Sequence, residues 1–392
     1  MSPDAGQEPR PTAPRLTAAA LDEDVARSDP HPTYARLRDE APVVWHEDPG
    51  IWLVSRYDDV LAVNRDTRRF SSTGGVIPIE IGIDYPSPPT MMHTDPPEHT
   101  RLRRAVARGF RPSRIASLEQ RIRGHVDSLV GAIAPGEPFD ALEAVAAPLP
   151  ITVICELLDL PSADWESMRR ASDAVIPGAG DFDEDERAGL NAQLEELLRA
   201  HARDGGGLAA DLREAGMDAE ETYILVNQVL VAGNETTRNL LAGGLSAFAG
   251  APDQWRRVVE DPGLVPGAVE EMLRFTTPVV SFMRTTTTDV DLAGVALRRG
   301  DPVLMLWASA NRDPGEFGDD ADTFVVDRHP NHHLAFGFGA HFCVGAALAR
   351  LEAGLVLEAM TSRFGGLEEA GPPRRSPSTV IAGYEHVPLV AH

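Results

Sequence analysis

Ten residues, Phe336-Gly337-Phe338-Gly339-Ala340-His341-Phe342-Cys343-Val344-Gly345, constrain this chain more than any other segment. They set one cysteine in a glycine-lined loop directly before a helix-forming run. Gly337, Gly339 and Gly345 can supply backbone conformations or close approaches that a Cβ would obstruct, which suits a flat group lying against main chain. The run Ala346-Ala347-Leu348-Ala349-Arg350-Leu351-Glu352 favours helix and places Cys343 beside a helix N-terminus, where partial positive charge stabilises a thiolate. A lone buried cysteine is usually an inert small hydrophobe. That reading suits Cys155, inside the apolar run Ile151 to Leu158, better than Cys343. A zinc site from His332, His333, His341 and Cys343 is chemically accessible but leaves the glycines unexplained. A cysteine nucleophile served by His341 puts the base two residues away on a tight loop, a poor geometry for facing the sulfur. An iron ligand beneath a flat cofactor accounts for both the thiol and the glycines.

Composition narrows the partners. The formal charge of −24 over 392 residues repels nucleic acid and acidic membranes. No apolar stretch approaches the roughly 20 residues of a membrane span. Two cysteines in such different contexts give no disulfide framework and fit a reducing compartment, so the expected location is cytoplasmic. The polar, proline-rich start lacks a basic-then-apolar targeting pattern. Residues 1–19 are expected to form a disordered tail and residues 20–392 a single domain.

No internal repeat is evident, and Gly371 to Pro377 reads as a linker. Val43-Val44-Trp45-His46 and Ile51-Trp52-Leu53-Val54, separated by Glu47-Asp48-Pro49-Gly50, predict a β-hairpin. Helical periodicity dominates elsewhere: Ile115, Leu118, Ile122, Val126, Leu129 and Ile133 form one stripe, and Leu190, Leu194, Leu197 and Leu198 another. The expected fold class is therefore mainly α with small β-sheets (α+β). Residues 74–92 are apolar yet broken by glycine and proline, the pattern of a mobile loop that lines a binding site or is buried under another element.

Three further constellations carry chemistry. The apolar helix around Val226 to Leu241 is interrupted in sequence by small and polar residues. Gly233 weakens it by about 1 kcal/mol relative to alanine, and Thr236 can turn its hydroxyl to a carbonyl one turn back, so local opening is expected there. Ala232, Gly233 and Thr236 share a face on which a flat or diatomic ligand could approach a hydroxyl, and Glu235 adds a carboxylate. Glu271 and Arg274 lie three apart, a spacing common on surface helices. Asp95, Pro96 and Glu98 read as N-cap, first helical residue and capping box. His99 and Arg103 then share one face, mildly repulsive unless an anion lies beside them.

These segments together resemble the cytochrome P450 monooxygenases. Phe336, Gly337, Gly339, His341, Cys343 and Gly345 match that family's haem-binding signature, and Ala232-Gly233-Asn234-Glu235-Thr236 matches its Ala-Gly-x-Glu-Thr oxygen-activation motif. The likeness continues through Ser309-Ala310-Asn311-Arg312-Asp313-Pro314 and Phe317, and covers roughly residue 20 to the end. It implies the cytochrome P450 fold of a soluble bacterial type and haem b (iron protoporphyrin IX) with Cys343 as the axial iron ligand. It further implies propionate contacts from His99, Arg103, Arg284 and His341, haem contacts from Phe336, Gly337, Gly345, Ala232 and Gly233, and proton delivery by Glu235 and Thr236. Glu271 and Arg274, completed by Arg328, would be a structural triad behind the haem, and segment 74–92 would roof the substrate pocket. The implied reaction is insertion of one atom of O2 into an organic substrate by hydroxylation or epoxidation. No flavin or iron–sulfur segment is seen, so electrons are expected from a ferredoxin or flavodoxin with its reductase. Candidate pocket residues Val76, Ile77, Ile79, Ile81, Ile83, Val231, Val279, Val280, Phe282 and Ile381 suggest a hydrophobic molecule such as a steroid, terpenoid, fatty acyl chain or polyketide. A haem sensor or electron carrier would use the cysteine but would not need Gly233, Glu235 and Thr236.

Overall fold

The 31-residue helix Ala219–Ala249 is the axis around which the rest is arranged; at 1.5 Å per residue it is about 46 Å long. A capping box starts it: the Asp218 side chain accepts from the Glu221 amide at 2.8 Å, and Glu221 accepts from the Asp218 amide at 3.1 Å. From Asn239 to Leu245 every residue is buried, so this half is covered on all faces. Helices Pro148–Leu158, Glu184–Asp204, Val265–Thr276 and Ala346–Arg363 pack against it. The computed structural model describes residues 10–83, 90–160, 165–175 and 182–392.

Helix Ala219–Ala249 is continuous, so the expected opening at Gly233 is absent. Gly233 answers instead to packing. A Cβ there would lie 2.8 Å from Cδ1 and 3.0 Å from Cγ1 of Ile154, so the glycine lets helix Pro148–Leu158 approach.

A smaller layer holds a five-stranded sheet. The expected hairpin forms, Val43–His46 pairing with Ile51–Val54 from Val43 opposite Val54 to His46 opposite Ile51. Pro302–Leu306 joins in parallel, Ser281–Thr286 pairs antiparallel with it, and Phe70–Ser71 completes the sheet. The stripe of helix Pro112–Gly131 is buried at Ile115, Leu118, Ile122 and Val126, and that of Glu184–Asp204 at Leu194 and Leu198.

Several expectations are corrected. The N-terminal fold starts well before residue 20. Arg10 pairs with Asp301 at 2.7 Å and lies 3.7 Å above the Trp45 ring, Thr12 bridges to Trp45, and Pro14–Ala20 is a helix burying Leu16 and Ala20. Three alanines and Leu16 favour the helix once an apolar surface is available to cover, and Pro14 is tolerated at its first position. Residues 1–9 lie outside the described residues, as do 84–89 of the apolar loop. Arg374–Arg375 pairs with Tyr384–His386, so the expected linker is one arm of a hairpin. Asp95 caps no helix. It accepts from Ser71 Oγ at 2.5 Å and the Ser72 amide at 3.0 Å, and helix Glu98–Val106 starts without a side-chain cap.

Candidate active site

The cysteine loop is built by two left-handed glycines and one short turn. Gly337 and Gly339 sit at φ +66° and +70°, where a side chain would be strained. The Cys343 amide donates to the Phe336 carbonyl at 2.8 Å, folding the loop back on itself. Gly345 caps helix Ala346–Arg363, which puts Cys343 two residues before the cap. Burial pushes the Cys343 thiol up, against the amides of Gly345 and Ala346 and the guanidiniums of Arg103 and Arg350, which favour the thiolate. Arg350 is held there by Glu270 at 2.6 Å and covers the Phe336 ring at 4.6 Å.

Cys343 is exposed into a cavity whose walls also include Ala232, Gly233 and Thr236 of the long helix, with Phe336, Gly337 and Gly345 beside the sulfur. The Thr236 hydroxyl donates to the Ala232 carbonyl at 2.7 Å. Glu235 faces away from the cavity. It is buried 3.6 Å from Arg238, which also grips Asp173 at 2.9 Å through both carboxylate oxygens. Burial lifts the Glu235 carboxyl to about 7 against the opposing pull of Arg238.

His99, Arg103, Arg284 and His341 all line this cavity. The rings of His99 and His341 lie 4.2 Å apart, and His341 Nε2 bonds to Ser72 Oγ at 3.1 Å. His99 Nε2 is buried with no partner, as is Trp307 Nε1. Among the described residues Arg284, 4% exposed, donates only to the Met283 carbonyl. Burial pulls it down to about 10, with Asp95 opposing. Burial followed by Arg284, His99 and Arg103 pulls His341 down to about 3. Among the described residues neither Arg103 nor Arg284 has a carboxylate within ion-pair distance. Buried cations without counterions mark the place of an anionic ligand. A haem fits: its propionates would answer these four groups, its iron Cys343, and its macrocycle the Gly337 and Ala232 walls.

The zinc and nucleophile readings fail on geometry. His332 bonds to Glu316, His333 to Glu270 and His341 to Ser72, and no three metal-ligating side chains converge among the described residues. Cys155 is inert, its thiol pushed up to about 12 by burial.

Behind the loop, Arg274 forks onto Glu271 at 2.7 and 2.8 Å, both fully buried, and Arg328 Nε reaches Glu271 at 3.3 Å. Asn331 and the Val325 amide, absent from the sequence reading, also donate to Glu271.

Of the candidate pocket residues, Val76, Val279 and Phe282 line the cavity. Ile79 and Ile83 do not: they are 64% and 51% exposed. Ile81 packs against the separate core cluster that contains Tyr34, Leu37 and Leu304, Ile77 and Val231 stay off the cavity wall, and Val280 and Ile381 face a different cavity. Apolarity alone could not assign facing in so irregular a loop. Met91 and Met92, at the end of the segment 74–92 expected over the pocket, line it, while Phe110, Ile154, Val229, Leu240 and the buried Glu352 were not singled out from sequence. For Glu352 a signal existed: it falls one turn after Leu348 on the buried face.

The family model "Cytochrome P450" matches residues 157–382. The chain is 39% identical to the cytochrome P450 monooxygenase PikC of Streptomyces venezuelae, over 96% of this chain and 94% of that one. It is 34% identical to the steroid C26-monooxygenase of Mycolicibacterium smegmatis, over 91% of each. The solved structure of cytochrome P450 CYP109Q5 from Chondromyces apiculatus superposes with a TM-score of 0.83 at 33% identity, over 95% of this chain and 97% of that one. By the family model and these relatives, whose haem the thiol and the basic groups around the cavity fit, the chain belongs to the cytochrome P450 family of monooxygenases.

Proposed function

We propose that this protein inserts one oxygen atom from O2 into a hydrophobic small molecule, by hydroxylation or epoxidation, using haem b ligated by Cys343. The observation that carries the reading is the convergence of Cys343, Thr236 and the four basic groups on one cavity. When bound, the haem supplies the iron that activates O2, with thiolate donation favouring O–O cleavage.

The chain's own residues supply the rest. His99, Arg103, Arg284 and His341 would hold the propionates, arginine doing so by a charged fork. Thr236, on the cavity wall with its hydroxyl donated to the Ala232 carbonyl, would turn that O–H from the carbonyl toward the ligand site to deliver a proton. Glu235, half-protonated near neutral pH and tied to Arg238, would replenish it from the side facing away. Glu271, Arg274 and Arg328 hold the loops behind the cysteine and touch no reacting atom.

The lining at Val76, Met91, Val229, Leu240, Val279 and Phe282 favours an apolar substrate. A steroid-like skeleton is consistent with the name of the Mycolicibacterium relative. One methylene shifts selectivity in such a pocket by only about 1–3 kcal/mol. Electrons would come from a separate ferredoxin or flavodoxin with its reductase, in the cytoplasm. Among the described residues no helix is long and apolar enough to cross a membrane.

The reduced carbon monoxide complex should show the strongly red-shifted Soret band of thiolate ligation, and Cys343→Ser should lose both the band and oxygenase activity. Retention of either by the variant would overturn the ligand assignment. Thr236→Ala should keep haem and substrate binding but lower product formed per NADPH consumed, measured with a surrogate redox system.

A further inference from the structure

A second cavity, of about 450 Å³, shares no lining residue with the first. Neighbouring residues divide between them: Val279 and Trp307 face the cysteine cavity, while Val280 and Ala308 face the second. Its walls come from the segment Pro30–Tyr34, the C-terminal half of the long helix, the end of helix Val265–Thr276, Arg312 and the hairpin beyond Arg374.

Its polar chemistry is concentrated and unsatisfied. Arg312 is 8% exposed. Its guanidinium lies 3.8 Å from the Phe275 ring centroid, and Nη2 donates to the Phe275 carbonyl at 3.0 Å. Nε is buried with no acceptor. The nearest carboxylate, Asp322, stands 3.7 Å from Nη1, beyond hydrogen-bond distance, and its side chain is 63% exposed at the rim. Thr276 Oγ1 and His31 Nδ1 are likewise buried without partners among the described residues. Arg375, 5.6 Å from the Tyr384 ring, adds a second guanidinium. Burial and the positive field of Arg312, Arg375, Arg38 and Arg274 keep His31 neutral, so its imidazole is available as a neutral donor or acceptor. A buried guanidinium with an idle N–H is costly unless an anion completes it. The remaining wall sets aromatic and aliphatic side chains, Tyr34, Phe275, Phe324, Val280 and Ile381, beside the hydroxyls of Ser246, Thr323, Ser376 and Ser378. An inorganic anion would satisfy Arg312 and leave that wall uncovered.

We propose that this second cavity binds a small organic carboxylate with an apolar body, its carboxylate on Arg312 and Arg375 and its body against the aromatic wall. Asp322 competes for Arg312 from the rim and is displaced by the ligand. The site stands on its own residues and does not depend on the chemistry at Cys343.

The test is calorimetric titration of the holoenzyme with its iron ligated by 4-phenylimidazole, which fills the first cavity. The probes are 3-phenylpropionate, its uncharged amide and inorganic phosphate. The acid should bind saturably at one site, with the amide and phosphate at least about tenfold weaker. Asp322→Asn should tighten the acid several-fold, a gain that a merely structural residue would not give. Arg375→Gln should weaken it at least about tenfold, and so should Arg312→Met. If Arg312→Met fails to fold, Asp322→Asn and Arg375→Gln decide. No saturable binding of the acid, equal binding of acid and amide, phosphate as tight as the acid, or unchanged affinity in both Asp322→Asn and Arg375→Gln would each overturn the proposal.

Discussion

Two buried carboxyls are tuned by the same cause to different ends. Glu235 rises to about 7 through burial, with Arg238 pulling it down and Asp173 pushing it further up. Its protonated form therefore prevails below neutral pH and its ionised form above. If it feeds protons to Thr236, turnover should decline as pH rises through about 7, and Glu235→Gln should be slow and flat across that range. The same inflection in the glutamine variant would assign it to another group. Glu352 rises to about 8 through burial alone, and its Oε2 has no partner. A carboxyl raised in the folded state keeps its proton between its unfolded pKa of about 4.5 and about 8, while the unfolded chain has lost it. Stability then falls with rising pH, by about 1.4 kcal/mol per unit across that window. Glu352→Gln should therefore unfold at a higher temperature than wild type at pH 8 and at nearly the same temperature at pH 5, read by calorimetry on the holoprotein. A constant offset between the two proteins at both pH values would show that Glu352 is partnered once haem is bound.

Helix crossings explain what the glycine of the Ala-Gly-x-Glu-Thr segment does for the fold. Since the helix is unbroken there, Gly233 is kept by Ile154, whose Cδ1 would stand 2.8 Å from an added Cβ. Gly233→Ala gains about 1 kcal/mol of helix propensity but must move that side chain, at about 1–3 kcal/mol. The double variant with Ile154→Ala removes both Cδ1 and Cγ1 and frees the space. Denaturant unfolding of the cycle should show a coupling of at least about 0.5 kcal/mol between the two sites; additivity would mean that Ile154 simply rotates away. The same crossing shows the reach of the sequence. The cysteine loop, the hairpin and the helical stripes were legible because each is written in local spacing: positive-φ glycines before a helix, turn residues between β-prone runs, apolar residues at three and four. Asp95 is misread from sequence because the helix amides compete for its carboxylate with tertiary donors, here the Ser71 hydroxyl and the Ser72 amide. Pocket facing in the loop of residues 74–92 was illegible for a related reason. Glu80, buried beneath the loop, accepts from the amides of Val76 and Ile77 and pairs with His93 at 3.1 Å, turning Val76 inward and leaving Ile79 outside. No periodicity records such a pin.

For the whole molecule, a formal charge of −24 means that the proposed electron donor, if it is acidic, needs a locally basic face on which to dock. Helix Glu98–Val106 and the turn after it lie beside the cysteine cavity, with His99, Arg103 and Phe110 on its wall. On their outer side Arg101, Arg104 and Arg108 do not act as one patch. Arg101 is consumed by ion pairs with Glu98 and Glu221, while Arg104 and Arg108 have no ion pair within 4 Å among the described residues. At physiological salt, fields beyond about 8–10 Å are screened, so two uncompensated guanidiniums near the cysteine can outweigh a distant acidic surface at short range. If a ferredoxin docks there, Arg104→Glu and Arg108→Glu should each raise its half-saturating concentration several-fold and leave substrate affinity unchanged. Arg101→Gln should do little, because its charge is already neutralised locally. Added salt should weaken reduction of the wild type more than that of either glutamate variant, since the variants have already lost the attraction that salt screens. Stopped-flow reduction under carbon monoxide reads these effects directly, without a known substrate. Equal salt dependence in all four proteins would place the docking surface on another face.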